Sequence, residues 1–570
     1  VGEGAVATPR RDAASSSDDR ARANRRRRRA RAMASRDDAT TRDRRGEGTS
    51  SAPSDDENDA RPLLEPRARD AGARARATIM RGAHPLGLVV LGATEMWERF
   101  GYYAARALLA LYVTKVLRDP TFDVERVLGL RTVGKTFSNY DFAMAVNASD
   151  AVGMMERTRA AEATSAKTYG AFACLAYLTP VFGGIVADAV LGAHRSAVVG
   201  AVVMALGYGA MASEWAFLIG LALVCVGNGA FKPSISTQLS ALYAKDDPKR
   251  DAGFSIFYCC INVGAFFSPL IAGTVRVYFG YGAAFASAAV GMWCALAIYA
   301  LNRRHVVDAM IPASANDNDE ESRSPLRRMG SNEQDFEEEN GRSNGESRKS
   351  LNDMARLIRE NSNAMFAVAI VCVAGIGFSM VYEQSGSTLM LFSDEHVDLH
   401  GMPTEFVAAL NPLLVLSLTP AVTALWDWQA RRGAEPHQMS KIAIGCALLS
   451  SSFAVLMFGA LPIDSHASPT RVSVFWIVLN QIFLTAGELF TFPVALSYIS
   501  KIAPDGLLSA IIGLWFGSYF FGNYFSGVLG STYPSFDSPS GFFAALALIA
   551  GAVALVLGLA RAPLAARCPT

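Results

Sequence analysis

Residues 86–116 read LGLVVLGATEMWERFGYYAARALLALYVTKV. A run this long and apolar is sufficient for a helix crossing a hydrocarbon core about 30 Å thick, which takes about 20 residues. Its middle nevertheless carries Glu95, Glu98, Arg99, Tyr102 and Arg106. Spaced by three, four and seven, these side chains fall on one stripe of a helix. Each charge near a bilayer centre costs about 2.5 to 3.5 kcal/mol, so the stripe is expected to face a polar cavity. Placing the residues at a helix end, where they would snorkel to the headgroups, conflicts with the apolar sequence on both sides.

Working outward, the chain has 570 residues, 51% of them hydrophobic, and the hydrophobicity is unevenly spread. Residues 1–80 and 302–360 are rich in Arg, Asp, Glu, Ser and Gly and bury too little apolar surface to offset chain entropy. They read as a disordered N-terminal tail and a disordered central loop. The remainder is a succession of apolar stretches near 86–116, 169–190, 195–213, 215–240, 252–275 and 281–301. After the central loop come 363–393, 405–428, 440–461, 473–499, 507–530 and 541–561. This predicts an all-α membrane protein: an N-terminal six-helix bundle over 81–301 with an outer loop insertion at 118–167, a C-terminal bundle over 361–562, and a tail at 563–570. Two bundles with a substrate site between them are what a rocking secondary transporter requires.

Orientation follows from the short loops, since cytoplasmic loops carry the Lys and Arg excess. Loops holding Arg195, then Lys245, Lys249 and Arg250, then Arg303 and Arg304, then Arg431, Arg432 and Lys441, then Lys501, alternate with loops near 214, 394–404 and 531–540 that have none. Both termini and the central loop are therefore expected in the cytosol. The 118–167 connection is the exception, being outer by count yet basic. It contains Asn147-Ala148-Ser149, a glycosylation acceptor pattern. The Arg25–Arg29 run is flanked by acidic residues and reads as a solvated tail with no nucleic-acid role. Val1 is no initiator and Met33 is a candidate start, which would put the Arg run outside the protein.

Further charges lie in apolar stretches: Lys232 before Pro233, Glu383, and Glu488. Six such charges left unpaired would together cost roughly 15 to 20 kcal/mol, so mutual pairing is expected, and both halves contribute. Seven of eight cysteines (Cys174, Cys225, Cys259, Cys260, Cys294, Cys372, Cys446) sit in apolar stretches without metal or CxxC spacing, reading as small apolar residues. No HExxH and no intramembrane Ser, His and Asp set is present, so an enzyme is not expected, and neither is a metal or organic cofactor.

At these residues the chain resembles the proton-dependent oligopeptide transporter (POT) family of the major facilitator superfamily, across nearly the whole membrane region. The family's ExxERFxYYG pattern is met by Glu95, Glu98, Arg99, Phe100, Tyr102 and Tyr103, with Ala104 in place of the last Gly. Gly184, Asp188, Gly192 and Arg195 fit the superfamily's G-x-x-x-D-x-x-x-G-x-x-R loop. Tyr169-Gly170, Phe231-Lys232-Pro233, Glu383-Gln384, Asn411-Pro412, Glu488-Leu489-Phe490 and Trp515 follow in the family's order.

The resemblance implies the major facilitator fold, with twelve transmembrane helices, and a proton-coupled symporter of di- and tripeptides. Arg99 and Lys232 would receive the peptide carboxylate, and Glu383 and Glu488 its amino group. A zwitterion needs opposite charges on opposite walls, and reading only the termini tolerates varied side chains. Tyr102, Tyr103, Tyr177, Tyr258, Asn262, Asn411 and Trp515 are implied contacts. Glu95, Glu98, Arg99 and Glu383 are implied in proton coupling, with the proton as coupling ion. Arg106, Gly184, Asp188, Gly192, Arg195 and Pro233 are implied in gating or structure. One proton moving down about 100 mV and one pH unit supplies enough to concentrate a neutral peptide by roughly several hundredfold. The alternatives are a carrier of nitrate or another small anion on the same fold, and a peptide-sensing receptor without net flux. A functional monomer in the plasma membrane is expected. Asp59 to Leu64 matches an acidic dileucine signal that would send it to a vacuolar or endolysosomal membrane instead.

Overall fold

The computed structural model describes residues 84–144, 151–244, 247, 249–306, 351–464, 471–504 and 507–567. Side chains at 188, 251, 351–355, 509 and 562–567 lie outside that description, as do the Arg25–Arg29 run, Met33, the dileucine pattern and Asn147.

The opening stretch forms one helix, α1 (Leu86–Arg118), with Lys115 and Arg118 in its last turn, where cations suit the helix dipole. A short helix α2 (Leu130–Ser138) follows, flanked by Gly129 and Asn139, both in the left-handed region. Then come α3 (Ala151–Val186), a π turn (Ala187–Leu191), α4 (Gly192–Met211) and α5 (Phe217–Ala241). Helix α6 covers Arg250–Asn302 in 53 residues, about 80 Å if straight, far more than a bilayer. It folds back at Gly280, where φ is 84°. Both halves of α6 then pack on α1: Ser268 donates to the Phe100 carbonyl at 2.5 Å, and Phe285 meets Tyr112 edge-on at 5.6 Å.

The second bundle comprises α7 (Leu351–Glu360), α8 (Ser362–Tyr382), α9 (Thr388–His396), α10 (Phe406–Arg431), α11 (Gln438–Asp464), α12 (Phe475–Ile502), α13 (Leu508–Gly530) and α14 (Pro539–Arg567). A 3-10 turn at Glu383–Gly386 interrupts the span between α8 and α9. Two-residue strands β1 (Val397–Asp398) and β2 (Val472–Ser473) pair in parallel and tie the end of α9 to the start of α12.

Eight helical runs among the described residues are long and apolar enough to cross a membrane. Two of them, 151–211 and 252–305, are each broken by a positive-φ glycine, Gly192 and Gly280, and so hold two crossings each. The charged 86–118 run and the Gly-, Ser- and Tyr-rich 508–530 run complete twelve. The protein is an all-α, multi-pass membrane protein of two six-helix bundles. One hydrophobic core is drawn from residues within 88–306, the other from residues within 367–557 plus Leu111.

Three boundaries differ from the sequence reading. The 118–167 connection is not simply a loop, because α2 and the first turns of α3 lie within it. Several of its basic residues are engaged within the connection itself. Arg157 is fully buried and donates to the carbonyls of Leu117 and Asp119 at 2.9 Å, and Lys167 donates to the Phe137 carbonyl at 2.5 Å. Arg131 and Lys135 engage Asp141, at 3.0 and 2.7 Å, and hold its carboxyl well below the usual carboxylate range. Cations spent on such contacts carry little topological information. The last ten residues of 302–360 form α7, and α14 continues through Arg567 into the expected tail. Polar helices of this kind escape a reading that searches for apolar runs.

The bundles meet firmly at one end. There α3 and α13 cross with almost no side chain between them: a Cβ on Gly170 would lie 2.5 Å from the Gly527 Cα. Arg276 of α6 reaches Glu405, beside α10, with 3.0 Å between Nη2 and Oε2. At the opposite end the same helices are bare. Helix α3 buries nothing beyond Ala176, and α10 nothing beyond Val415.

A Gly170→Val substitution should therefore wedge the closed end. Overpacking costs about 1 to 3 kcal/mol, so labelling of a Ser526→Cys probe on α13 by a membrane-impermeant maleimide should rise at least fivefold. Unchanged labelling would mean that the two helices are not in contact.

Candidate functional site

A cavity of about 560 Å³ opens between the bundles toward the bare end. Its N-terminal wall presents Tyr103 and Arg106 from α1, Tyr177 from α3, Lys232 from α5, and Tyr258 and Asn262 from α6. Its C-terminal wall presents Tyr382 and Glu383 at the α8 break, Asn411 from α10, Glu488 and Phe492 from α12, and Trp515 and Tyr519 from α13. A smaller cavity of about 200 Å³ shares Tyr103, Arg106, Tyr177, Lys232 and Glu383, and adds Glu95, Arg99 and Tyr102.

The stripe on α1 faces inward, and its charges are largely spoken for. Arg99 lies 3.3 Å from Glu95 Oε1, one helical turn away, and donates to Glu98 Oε1 at 2.8 Å. All three residues are buried, Glu98 completely. The Arg99 guanidinium also lies 4.8 Å above the Tyr102 ring, which stacks on Phe172. Glu98 lines neither cavity. This cluster belongs wholly to the first bundle.

A second set joins the bundles. Arg106 of α1 is ion-paired with Glu383. The fully buried Tyr169 hydroxyl accepts from Arg106 Nε at 2.5 Å and donates to Glu383 Oε2 at 3.1 Å. Glu383 can present its carboxylate because α8 ends at Tyr382 and gives way to the 3-10 turn. Gly386 closes that turn directly against Tyr169, where a Cβ would overlap the hydroxyl.

Two charges lining the cavity, Lys232 and Glu488, make no ion pair within 4 Å among the described residues. Among the described residues no carboxylate lies within 4 Å of Lys232, whose ammonium stands 5.3 Å over the Tyr177 ring. Among the described residues no cation lies within 4 Å of Glu488, whose Oε2 accepts from Tyr382 at 2.9 Å and Asn411 at 2.8 Å. Asn411 also donates to Thr485 Oγ1 at 3.1 Å. The expectation that all intramembrane charges pair with one another therefore fails at Lys232 and Glu488, which line the cavity from opposite bundles. Arg99, implied by the resemblance as a carboxylate contact, is paired with Glu95 and Glu98 and lines the smaller cavity.

Of the remaining residues singled out in the sequence, Tyr258 is 44% exposed and Trp515 only 2%. Trp515 packs edge-on against Tyr519 at 5.1 Å, and Tyr519 stacks on Tyr177 across the bundle boundary at 5.4 Å. Asn262 is nearly buried and donates to the Tyr258 carbonyl at 3.0 Å. Arg106, expected in gating or structure, also lines the cavity. Gly184 faces Pro233, one residue past Lys232 in α5, and Gly192 adopts positive φ, 74°, where the chain leaves the π turn. Arg195 is exposed, and the side chain of Asp188 is not described. Sequence reasoning assigned no role to Tyr169, Tyr382 or Tyr519. Tyr382 adjoins Glu383 in sequence and was within reach; nothing local marks Tyr169 as a bridge.

A family model described as POT family matches residues 194–546. An uncharacterized transporter of Bacillus subtilis, YclF, is 27% identical over 478 residues, covering 76% of this chain and 85% of the relative. The peptide transporter YePEPT of Yersinia enterocolitica is 27% identical, covering 78% of this chain and 88% of the relative. Among solved structures, a crystal structure of a peptide transporter POT in complex with sulfate has a TM-score of 0.66 at 23% identity, covering 87% of this chain and 99% of that one.

The charge arrangement predicts unequal stability effects. Removing one partner of a buried pair costs about 3 to 5 kcal/mol, and Glu98→Gln should fall at the lower end because Glu95 remains on Arg99. Glu488→Gln keeps an oxygen for Tyr382 and Asn411 and breaks no ion pair. Thermal melting of detergent-purified variants should show Glu98→Gln several degrees below the parent and Glu488→Gln close to it; the reverse order would contradict the pairing.

Proposed function

The chain belongs to the POT family of membrane transporters, and on that premise we propose that it is a proton-coupled symporter of di- and tripeptides working by alternating access. The observation carrying the reading is a pair of opposite charges that make no ion pair within 4 Å among the described residues, Lys232 on one bundle and Glu488 on the other, facing one cavity. A peptide's carboxylate meets Lys232 and its amino group meets Glu488, so each ligand terminus supplies a close partner of opposite charge. A volume of about 560 Å³ lies within the range of small-ligand sites. Relatives named as di-/tripeptide transporters, such as that of Lactococcus lactis at 28% identity, support this cargo. Tyr103, Tyr177, Tyr258, Asn262, Asn411 and Trp515 contact the ligand's backbone and side chains. A carrier of a lone small anion would have no use for Glu488 in the same cavity.

Proton coupling is assigned to Glu383, with Glu95 and Glu98 beside Arg99 as further proton sites. Protonating Glu383 removes the negative partner of Arg106 and loosens an ion pair that spans the bundles. The open end is assigned to the cytosol from the Lys and Arg alternation, which puts both termini there, and the plasma membrane is the membrane assigned. One chain supplies the complete cavity, consistent with action as a monomer, and no cofactor beyond the proton is invoked.

In proteoliposomes, a labelled dipeptide should accumulate when the interior is negative and the exterior acidic. Lys232→Gln and Glu488→Gln should each weaken apparent affinity about 30-fold or more, since truncating one partner of a buried charge pair costs about 2 kcal/mol upward. Glu383→Gln should abolish gradient-driven accumulation while leaving peptide exchange. Binding without accumulation would favour a receptor, and accumulation indifferent to the gradient would remove the coupling.

A further inference from the structure

Arg118, the last residue of α1, is held by two carboxylates at the closed end. Its Nη2 lies 2.6 Å from Oε1 of Glu162, on α3 of its own bundle. The same nitrogen is ion-paired with Glu395, on α9 of the other bundle. The side chains are 36%, 9% and 27% exposed for Arg118, Glu162 and Glu395. A second pair also crosses between bundles there, Arg276 with Glu405, and Glu405 is fully buried. Both crossing pairs have the cation on the first bundle and the acid on the second. They differ in what happens when the bundles part. Arg276 has no second carboxylate within 4 Å among the described residues, whereas Arg118 keeps Glu162.

We propose that Glu162 is the standby partner of Arg118, a positioning residue that keeps the guanidinium neutralised when the closed end opens and Glu395 is released. The proposal rests on the alternating-access reading above. Arg118 is only partly exposed, and leaving it without any partner would penalise the open state. Glu395 is better exposed and can be taken up by water. In the closed state two carboxylates on one nitrogen repel each other, so Glu162 is not needed to hold that state shut. Its contribution appears in the open state alone. The two acids on Arg118 therefore act in opposite directions: Glu395 favours closure and Glu162 favours opening. A plain strut would act in the same direction as Glu395.

Spin labels placed at Thr121 and Met402, exposed positions on the two bundles near that end, would report the distance distribution of the full chain in nanodiscs. Glu162→Gln should raise the ratio of closed to open populations about tenfold, equivalent to about 1.4 kcal/mol. Glu395→Gln should lower it. Glu162→Asp, which keeps the charge, should recover most of the parental ratio even if Glu162→Gln assembles poorly. Glu162→Gln and Glu395→Gln shifting the ratio the same way, in a parent that alternates, would overturn the standby role and leave the transport reading intact. A parent whose distance stays single with and without dipeptide and acid would remove alternating access and this proposal together.

Discussion

An ionised side chain at the depth of a bilayer must find a partner, a cavity or another protonation state, because lipid offers it nothing. Every functional feature of this molecule follows from how its buried charges meet that constraint. Arg99 meets it inside one bundle, with Glu95 and Glu98. Arg106, Arg118 and Arg276 meet it across the bundle boundary, with Glu383, Glu395 and Glu405. Lys232 and Glu488 meet it by lining the cavity between the bundles. These three solutions have different mechanical consequences. A pair within a bundle survives any rigid-body movement, a pair between bundles must break for the bundles to separate, and an unpaired charge in a cavity recruits a ligand of opposite sign.

The backbone is irregular where these solutions need it to be. Glu383 reaches the bundle boundary because its span stops being α-helical at that residue, and interrupted helices are a recurrent way to line a midplane site. Gly386 leaves room for the Tyr169 hydroxyl, which ties Arg106 to Glu383. Gly170 and Gly527 let two helices from different bundles meet backbone to backbone, the small-residue packing by which membrane helices gain contact without a hydrophobic drive. Dry glycine packing and ion pairs thus hold one end, while the other end of α3 and α10 buries nothing.

The long apolar spans were legible because hydropathy is a local property and a crossing helix needs a fixed length. The α1 stripe was legible for the same reason: Glu95, Glu98, Arg99, Tyr102 and Arg106 fall on one face by helical periodicity alone. Less legible were α2, the polar start of α3, and α7, whose residues resemble loops until their partners are known. Arg157 is the clearest instance. In sequence it is one basic residue of an exposed connection; in the structure it is fully buried and holds the Leu117 and Asp119 carbonyls.

The sequence alone determined how many charges the membrane region must accommodate and which helices carry them, since composition and period are written residue by residue. Only the tertiary structure decided which acid answers which base. Arg106 and Glu383 lie 277 positions apart, and no spacing rule reaches that far. Pairing is a matter of a few ångströms between atoms on separately folded bundles. It is set by helix crossings and backbone breaks, which is why Arg99 proved occupied and Lys232 and Glu488 were left facing the cavity.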